Sequence, residues 1–423
     1  MKRIVGIVAL AATTASLAMA DVGIGINFRR GTNVFSNANT SKDSVTFGNF
    51  GDITGTDAFT FKASNEYAGI TLNYNPDSSK TANEAAGTEG KGGFWTGGTG
   101  VEYTAYVNPT DWLQFKLGAH KDGIMYAEQA KKDTDDTNWS AAGRYAFLYK
   151  LGIATKNSTA FTMDDMTSIN NAATPFFFAD FKFNDVGPGN LLVRASLAKT
   201  DNWLMKGNFN KKTVYAAPGL VVGYNIKDLI NVNLDLQMAS NNDLAAGLYA
   251  SPSVIENLTI VVGGTVSTVF DGEKGAKGAR VNDKDGVTFF GIDLRLRYVA
   301  GDFHIANAFN FTGASEDGQV KQGAADNIGG IKARTGDSNI WDSIFLTYKL
   351  NDNWTVTGNI QLQACLGDDT ILDLGVTPGV MYTIGKGATI TAGVHMGFGD
   401  LSDKTDDGRA IGVALPVIFR VKL

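Results

Sequence analysis

Ile411-Gly412-Val413-Ala414-Leu415-Pro416-Val417-Ile418-Phe419-Arg420-Val421-Lys422-Leu423 stands at the C-terminal end, and every second residue of it is apolar without a break. Successive side chains of a strand point to opposite faces. Ile411, Val413, Leu415, Val417, Phe419, Val421 and Leu423 therefore share one face, and Gly412, Ala414, Pro416, Ile418, Arg420 and Lys422 the other. Soluble strands run about 5–6 residues, whereas a tilted strand that crosses a bilayer needs about 9–11. Length decides between the two, and this file is long enough to cross.

The same pattern recurs upstream. Phe290, Ile292, Leu294, Leu296 and Tyr298 alternate with Gly291, Asp293, Arg295 and Arg297. Further files are Ile230-Val232-Leu234-Leu236-Met238, Trp354-Val356-Gly358-Ile360-Leu362 and Ala388-Ile390-Ala392-Val394-Met396-Phe398. Two kinds of connection join them in turn. Short turns fall around 64–66, 108–111, 184–190, 227–229, 251–257, 300–302, 351–353 and 385–387. Several carry Asp, Asn or Glu followed by a bulky residue, as in Asp111-Trp112, Asp228-Leu229, Asn257-Leu258 and Asn353-Trp354. The polar residue suits a tight turn and the bulky one a membrane interface. Most other connections are long, polar and rich in Gly, Asp, Asn and Ser, near 30–57, 75–100, 120–174, 199–212, 269–287, 313–339 and 399–409, with shorter ones near 240–243 and 367–371. Eight hairpins with one strand added at each end predict an all-β fold, a transmembrane antiparallel up-and-down β-barrel of about 18 strands (16–20).

Composition agrees. The chain is 43% hydrophobic, a soluble-looking value that alternation between lipid and lumen would also produce. Gly is abundant at 50 of 423 residues and Pro scarce at 8, as strands joined by Gly-rich loops require. Met1 to Ala20 has Lys2 and Arg3, an apolar run and the small-x-small pattern Ala18-Met19-Ala20. This reads as an export signal over 1–20 that is removed, leaving the barrel over 21–423. The apolar run is too short for a spanning helix, which needs about 20 residues.

Several chemistries find no support. A formal charge of −6 without a basic run argues against nucleic acid as a partner. The single Cys365 excludes an internal disulfide, and His120, His304 and His395 are too scattered for a metal site. Gly272, Gly275 and Gly278 lie in a polar loop with no helix to follow, so they form no phosphate cradle. Asp403, Asp406 and Asp407 are mis-spaced for a calcium loop. No G-x-S-x-G elbow occurs. The expectation is no cofactor and no enzyme. A hydrolase would need a nucleophile such as Ser315 or Ser402 placed against His304 or His395.

With its export signal, alternating files, short-turn hairpins, long outer loops and final amphipathic strand, the chain resembles the bacterial outer-membrane porin class over the whole of 21–423. Many of that class end in Phe or Trp, a cue for assembly, whereas this chain has Leu423, with Phe419 four residues earlier. The resemblance implies residence in the cell outer membrane of a diderm bacterium and passive diffusion of small hydrophilic solutes or ions. It implies as partners outer-membrane lipid, those solutes, the outer-membrane assembly machinery and a homo-oligomer. Alternation starts at Val22, which leaves no room for an N-terminal plug. The alternative is a surface adhesin or structural barrel whose outer loops near 30–57, 75–100 and 313–339 bind a ligand.

Parity also names the lumen residues. Lys116, Lys182, Arg194, Arg295, Arg297, Arg420 and Lys422 are basic there, and Glu102, Asp180, Asp235 and Asp293 acidic. Asn231, Asn233, Asn359, Gln361 and Gln363 are neutral. The excess of bases hints at a mild preference for anions, against the more favoured alternative that these charges only solvate the interior and pair across strands. The longest loop, 120–174, contains an apolar stretch from Ala141 to Ile153. The corresponding loop of porins often folds inward, so the resemblance implies a constriction lined by Arg144, Tyr145, Tyr149 and Lys150. Alternatively, Ala141 to Ile153 supplies further strands and raises the count to twenty. Three residues break the pattern: Asn307 falls on the lipid parity, and Pro378 and Pro416 fall inside strands, where a bulge or a strand boundary would accommodate each.

Overall fold

A computed structural model describes residues 21–36, 58–74, 101–118, 176–200, 207–209, 212–238, 244–268, 280–281, 287–315, 318–322, 334–368, 370–385, 387–402 and 410–423. The first half of the wall runs through β1 (Asp21–Ser36), β2 (Ala58–Ser64), β3 (Ala68–Tyr74), β4 (Val101–Thr110), β5 (Leu113–Gly118), β6 (Phe176–Val186) and β7 (Gly189–Thr200). The short β8 (Gly207–Phe209) attaches to β9 (Lys212–Ile226), and β10 (Ile230–Met238), β11 (Leu244–Pro252) and β12 (Leu258–Thr268) follow. Beyond β13 (Arg280–Val281) come β14 (Thr288–Ala300) and β15 (Phe303–Ala314). After β16 (Gln319–Gln322) and β17 (Arg334–Gly336) the wall resumes with β18 (Ser338–Lys349), β19 (Trp354–Leu366) and β20 (Ile371–Gly385). It ends with β21 (Ala388–Gly393), β22 (His395–Gly399) and β23 (Ala410–Lys422). Strands β13, β16 and β17 form a separate three-stranded sheet on the long-loop side.

Every wall strand pairs antiparallel with the next, and β23 pairs with β1, so the sheet closes on itself. With β8 set aside and β21 and β22 taken as one interrupted stave, the described strands make a ring of eighteen staves. The closing seam is staggered. Residues Asp21 to Asn27 of β1 pair with β2, and Asn27 to Ser36 pair with β23. Ile26 and Leu423 exchange backbone hydrogen bonds of 3.0 and 2.8 Å across the seam. Strands β5 and β6 pair directly, from Leu113↔Phe181 to Gly118↔Phe176, so no further stave stands between them. Ala141 to Ile153 itself lies outside the described residues.

The short turns owe their tightness to the polar residues seen in the sequence. Asp228 and Asn257 take left-handed φ angles of 58° and 63°, which Asp and Asn tolerate better than bulkier residues. At the 351–353 turn the Asn351 side-chain oxygen accepts from the N–H groups of Asn353 (3.0 Å) and Trp354 (2.9 Å). The bulky residue that follows stays at the surface: Trp112, Leu229 and Trp354 are exposed. Trp354 meets Tyr382 on β20 with ring centroids 4.8 Å apart, and Trp112 stacks on Phe181 at 6.4 Å. Tyr298, Phe303 and Tyr348 are exposed near the same turns, which makes an aromatic girdle at the short-turn end.

Both prolines sit at ladder irregularities. Pro378 of β20 and Pro416 of β23 flank the Gly393–Val394 break between β21 and β22, one on each side. The Val394 N–H still reaches the Pro378 carbonyl at 2.9 Å. On the other edge of β23, the register of β1 shifts between Asn33 and Phe35, beside Pro416. Of the two explanations the sequence left open, local irregularity within the strands is the one found.

Register also sets aromatic rings over glycines. Tyr249 on β11 pairs with Gly263 on β12, and a Cβ at Gly263 would run into the Tyr249 ring. Tyr106 covers Gly69 between β4 and β3 in the same way. The Gly263→Val variant is expected to drive Tyr249 from its place and to destabilise the barrel by about 2 kcal/mol. Gly264, which faces the other way with only an ordinary contact at 3.5 Å, serves as the control. Urea unfolding in lipid vesicles checks this, and equal losses for Gly263→Val and Gly264→Val would refute it.

Candidate functional site: the lumen wall

The two faces of the ring differ in chemistry. Ile292, Leu234, Leu248, Val262, Val356 and Ile360 are exposed on the outer face. Residues of the opposite parity on the wall strands, Asn231, Asn233, Ser251, Asn359 and Gln361, are buried on the inner face. A soluble protein has the opposite arrangement. A sealed ring, apolar outside and polar inside, is the architecture of a transmembrane β-barrel.

Three of the lumen residues expected from parity come together. Asp180 on β6 is opposite Arg194 on β7, and Lys116 on β5 is diagonal to Asp180. Arg194 donates to Asp180 through Nε at 2.6 Å and Nη2 at 2.8 Å, a two-pronged pair. Lys116 Nζ approaches the same carboxylate at 3.3 Å. Asp180 and Arg194 are each only 1% exposed, and the guanidinium lies over the Phe178 ring, 5.1 Å from its centroid. One carboxylate thus serves two cations, and Lys116 keeps part of its surface free.

A second region spans β18 to β22. Gln363 is opposite Trp341 on one side and Asp373 on the other, Gln361 is opposite Ser343 and Gly375, and Asn359 is opposite Phe345 and Thr377. Asn359 Nδ2 donates to Ser343 Oγ at 2.9 Å, and Thr377 Oγ1 and His395 Nδ1 are hydrogen-bonded at 2.9 Å. Asp373 accepts from the Asp400 N–H at 2.8 Å. Neither amide atom of Gln361 has a hydrogen-bond partner among the described residues. Buried amides of this kind are ordinarily met by water.

Arg297 and Lys182 also take the inward parity. Asp235, Asp293 and Arg295 hold inward register positions, but their side chains lie outside the described residues. Arg144, Tyr145, Tyr149 and Lys150, the expected constriction, lie outside them altogether. Lys62 and Asp373 are inward residues missing from the parity set above, although alternation with Phe61 and Leu374 places both. A set of inward aromatics is missing from it too, because hydropathy alternation hides an apolar residue on a polar face. Phe178, Tyr249, Phe289, Trp341 and Phe345 are all buried there.

Among the described residues no group of three or more His, Cys, Asp or Glu is arranged to hold a metal. Ser315 Oγ accepts from the Thr288 N–H, and Ser402 Oγ bonds to Asp400 and Leu372. His395 instead pairs with Thr377. The serine–histidine arrangement a hydrolase would need is not formed by these residues.

No protein-family model matches the chain, and no curated protein matches it. The chain is similar to OmpTdeltaL8, a loop L8 deletion mutant of OmpT, an outer membrane protein of Vibrio cholerae. That likeness has 12% identity and a TM-score of 0.46, and covers 96% of this chain and 99% of that one. It is also similar to OccK2 (OpdF) of Pseudomonas aeruginosa, with 10% identity, a TM-score of 0.47, and 96% and 98% of the two chains covered. A third likeness is to the outer membrane protein opdK of Pseudomonas aeruginosa, with 9% identity, a TM-score of 0.48, and 95% and 98% covered.

Removing one member of a buried ion pair leaves the other charge uncompensated. Arg194→Met is therefore expected to destabilise the barrel by about 3 kcal/mol, and Arg194→Met combined with Asp180→Leu to recover most of that loss. Unfolding of the single and double variants in lipid vesicles measures the coupling. Additive losses would show that the pair is not coupled.

Proposed function

We propose that the protein is an outer-membrane pore through which small hydrophilic solutes and ions diffuse passively, with no covalent chemistry. The observation that carries this reading is the inverted polarity of a sealed ring, since a polar wall enclosed by an apolar belt has its use in holding water across a membrane. A ring of this size is wide enough for an aqueous channel. In the same reading, residues 1–20 direct export and are removed, and the barrel is inserted by the outer-membrane assembly machinery. Binding by the outer loops, the adhesin alternative, concerns segments largely outside the described residues.

Wall charge sets the expected selectivity. Apart from Asp21 and Lys349 at strand ends, Lys62, Lys116, Lys182, Arg194, Arg297 and Arg420 take the inward parity, against Asp180 and Asp373, among the described side chains. Arg194 and Asp180 neutralise each other, so the remaining cations tilt the lumen towards anions.

Planar-bilayer recording tests both claims. Folded protein is expected to give discrete conductance steps and, under a salt gradient, a reversal potential of the sign that anion preference gives. The double variant Lys62→Glu, Lys182→Glu should lower the anion-to-cation permeability ratio by about twofold. A folded sample that inserts and conducts nothing would end the pore reading. An unchanged ratio in the variant would end the assignment of selectivity to these side chains.

A further inference from the structure

Asn307 on β15 and Asp342 on β18 face the wrong way for a polar pair. The outward file of β15 is Phe303, Ile305, Asn307, Phe309 and Phe311, and that of β18 is Ile340, Asp342, Ile344, Leu346 and Tyr348. Among the described side chains on the outer face, Asp342 is the one carboxylate, and no Lys, Arg or His accompanies it. The two residues are diagonal neighbours, because Asn307 is opposite Ile344 and Asp342 is opposite Phe309. Asn307 Nδ2 donates to Asp342 Oδ1 and reaches the Ser343 carbonyl only at 3.4 Å. Leu296 stands beside Asn307 on β14 and Leu362 beside Asp342 on β19, so the surroundings are apolar.

Depth matters here. Tyr348 marks the girdle at the short-turn end, and Asp342 is six residues along the strand from it. With about 3.4 Å per residue and a tilt near 45°, that is roughly 14 Å of depth within a belt about 25 Å tall. Acyl chains offer no hydrogen bond at that level, and headgroups lie at the belt's edges.

We propose that this β15–β18 face is where the barrel associates with a second copy of itself. The argument is complementarity. A copy in the same membrane has the same orientation and presents the same pair at the same depth. Across a two-fold axis along the membrane normal, donor then meets acceptor twice. The weakly held N–H of Asn307 in each copy donates to Asp342 Oδ2 of the other, while Ile344, Leu346 and Ile360 pack around the pair. The proposal rests on the barrel spanning a membrane but not on its lumen conducting.

Native mass spectrometry of the full chain, in mild detergent and in lipid nanodiscs, tests it. The wild type is expected to be oligomeric. The double variant Asn307→Leu, Asp342→Leu is expected to keep its folded, heat-modifiable mobility while self-association weakens by about tenfold or more. Gly358 offers a second variant. It is outward-facing opposite Leu346, and a Cβ there meets nothing within 4 Å. Gly358→Trp should therefore separate the copies by bulk and leave the wall intact, and it decides the matter should the double variant not fold. A wild type that is monomeric in both media, or variants as strongly associated as the wild type, overturns the proposal. Oligomers without conductance would instead count against the pore and leave this interface standing.

Discussion

A backbone N–H or C=O left unpaired in hydrocarbon costs several kcal/mol, and no loop or open sheet edge escapes that penalty. The closing seam is where this constraint is met. Strand β1 divides its length between β2 and β23, and Ile26 and Leu423 bond to each other across the junction. The prolines follow from the same rule. Each lacks an N–H, so each would leave a gap in an otherwise complete ladder. Pro378 and Pro416 both border the Gly393–Val394 break, which gathers the losses at one interrupted stave. The β1 register shift beside Pro416 takes up the irregularity on the remaining edge.

Once the ring is sealed, its two faces obey different energetic rules. A charge on the outer face at mid-depth costs about 2–4 kcal/mol for Arg or Lys and less for Asp or Glu. Inside, water or a cross-strand partner is at hand. The Asp180 carboxylate illustrates the inner rule: Arg194 engages it with two hydrogen bonds and Lys116 comes from the neighbouring strand. Such a cluster would be costly if any member were removed, because burial withholds the solvent that could replace it. The amides at Asn359 and Gln361 need less, since neutral groups are satisfied by water without a counter-charge.

The architecture was legible because alternation is a strictly local property. The files ending at Leu423 and at Tyr298 declare their outer face residue by residue, and Asp228 and Asn257 announce the turns between files. What could not be read depends on register, which joins positions far apart in the chain. Tyr249 over Gly263 and Arg194 against Asp180 exist only because particular residues are opposite each other. Asn307 showed as an exception in the sequence, yet Asp342, its partner 35 positions away, became visible only with the strands aligned. The long loops follow neither rule. A segment such as 120–174 has no periodicity that would settle its course, so the proposed constriction had to come from a resemblance.

Exceptions on the two faces therefore carry unequal weight. An apolar residue in the lumen has several ways to be accommodated: Tyr249 lies over a glycine, and Phe178 lies under the Arg194 guanidinium. Their presence inside imposes little, and parity alone does not tell an inward aromatic from a strand-boundary error. A carboxylate on the belt has far fewer options, because its surroundings can neither solvate nor pair it. Asp342 has found one neighbour, Asn307, whose amide gives its other N–H only weakly, to the Ser343 carbonyl at 3.4 Å. The outward face is the stricter reader of sequence, so a polar residue there is informative where the same residue inside would be ordinary.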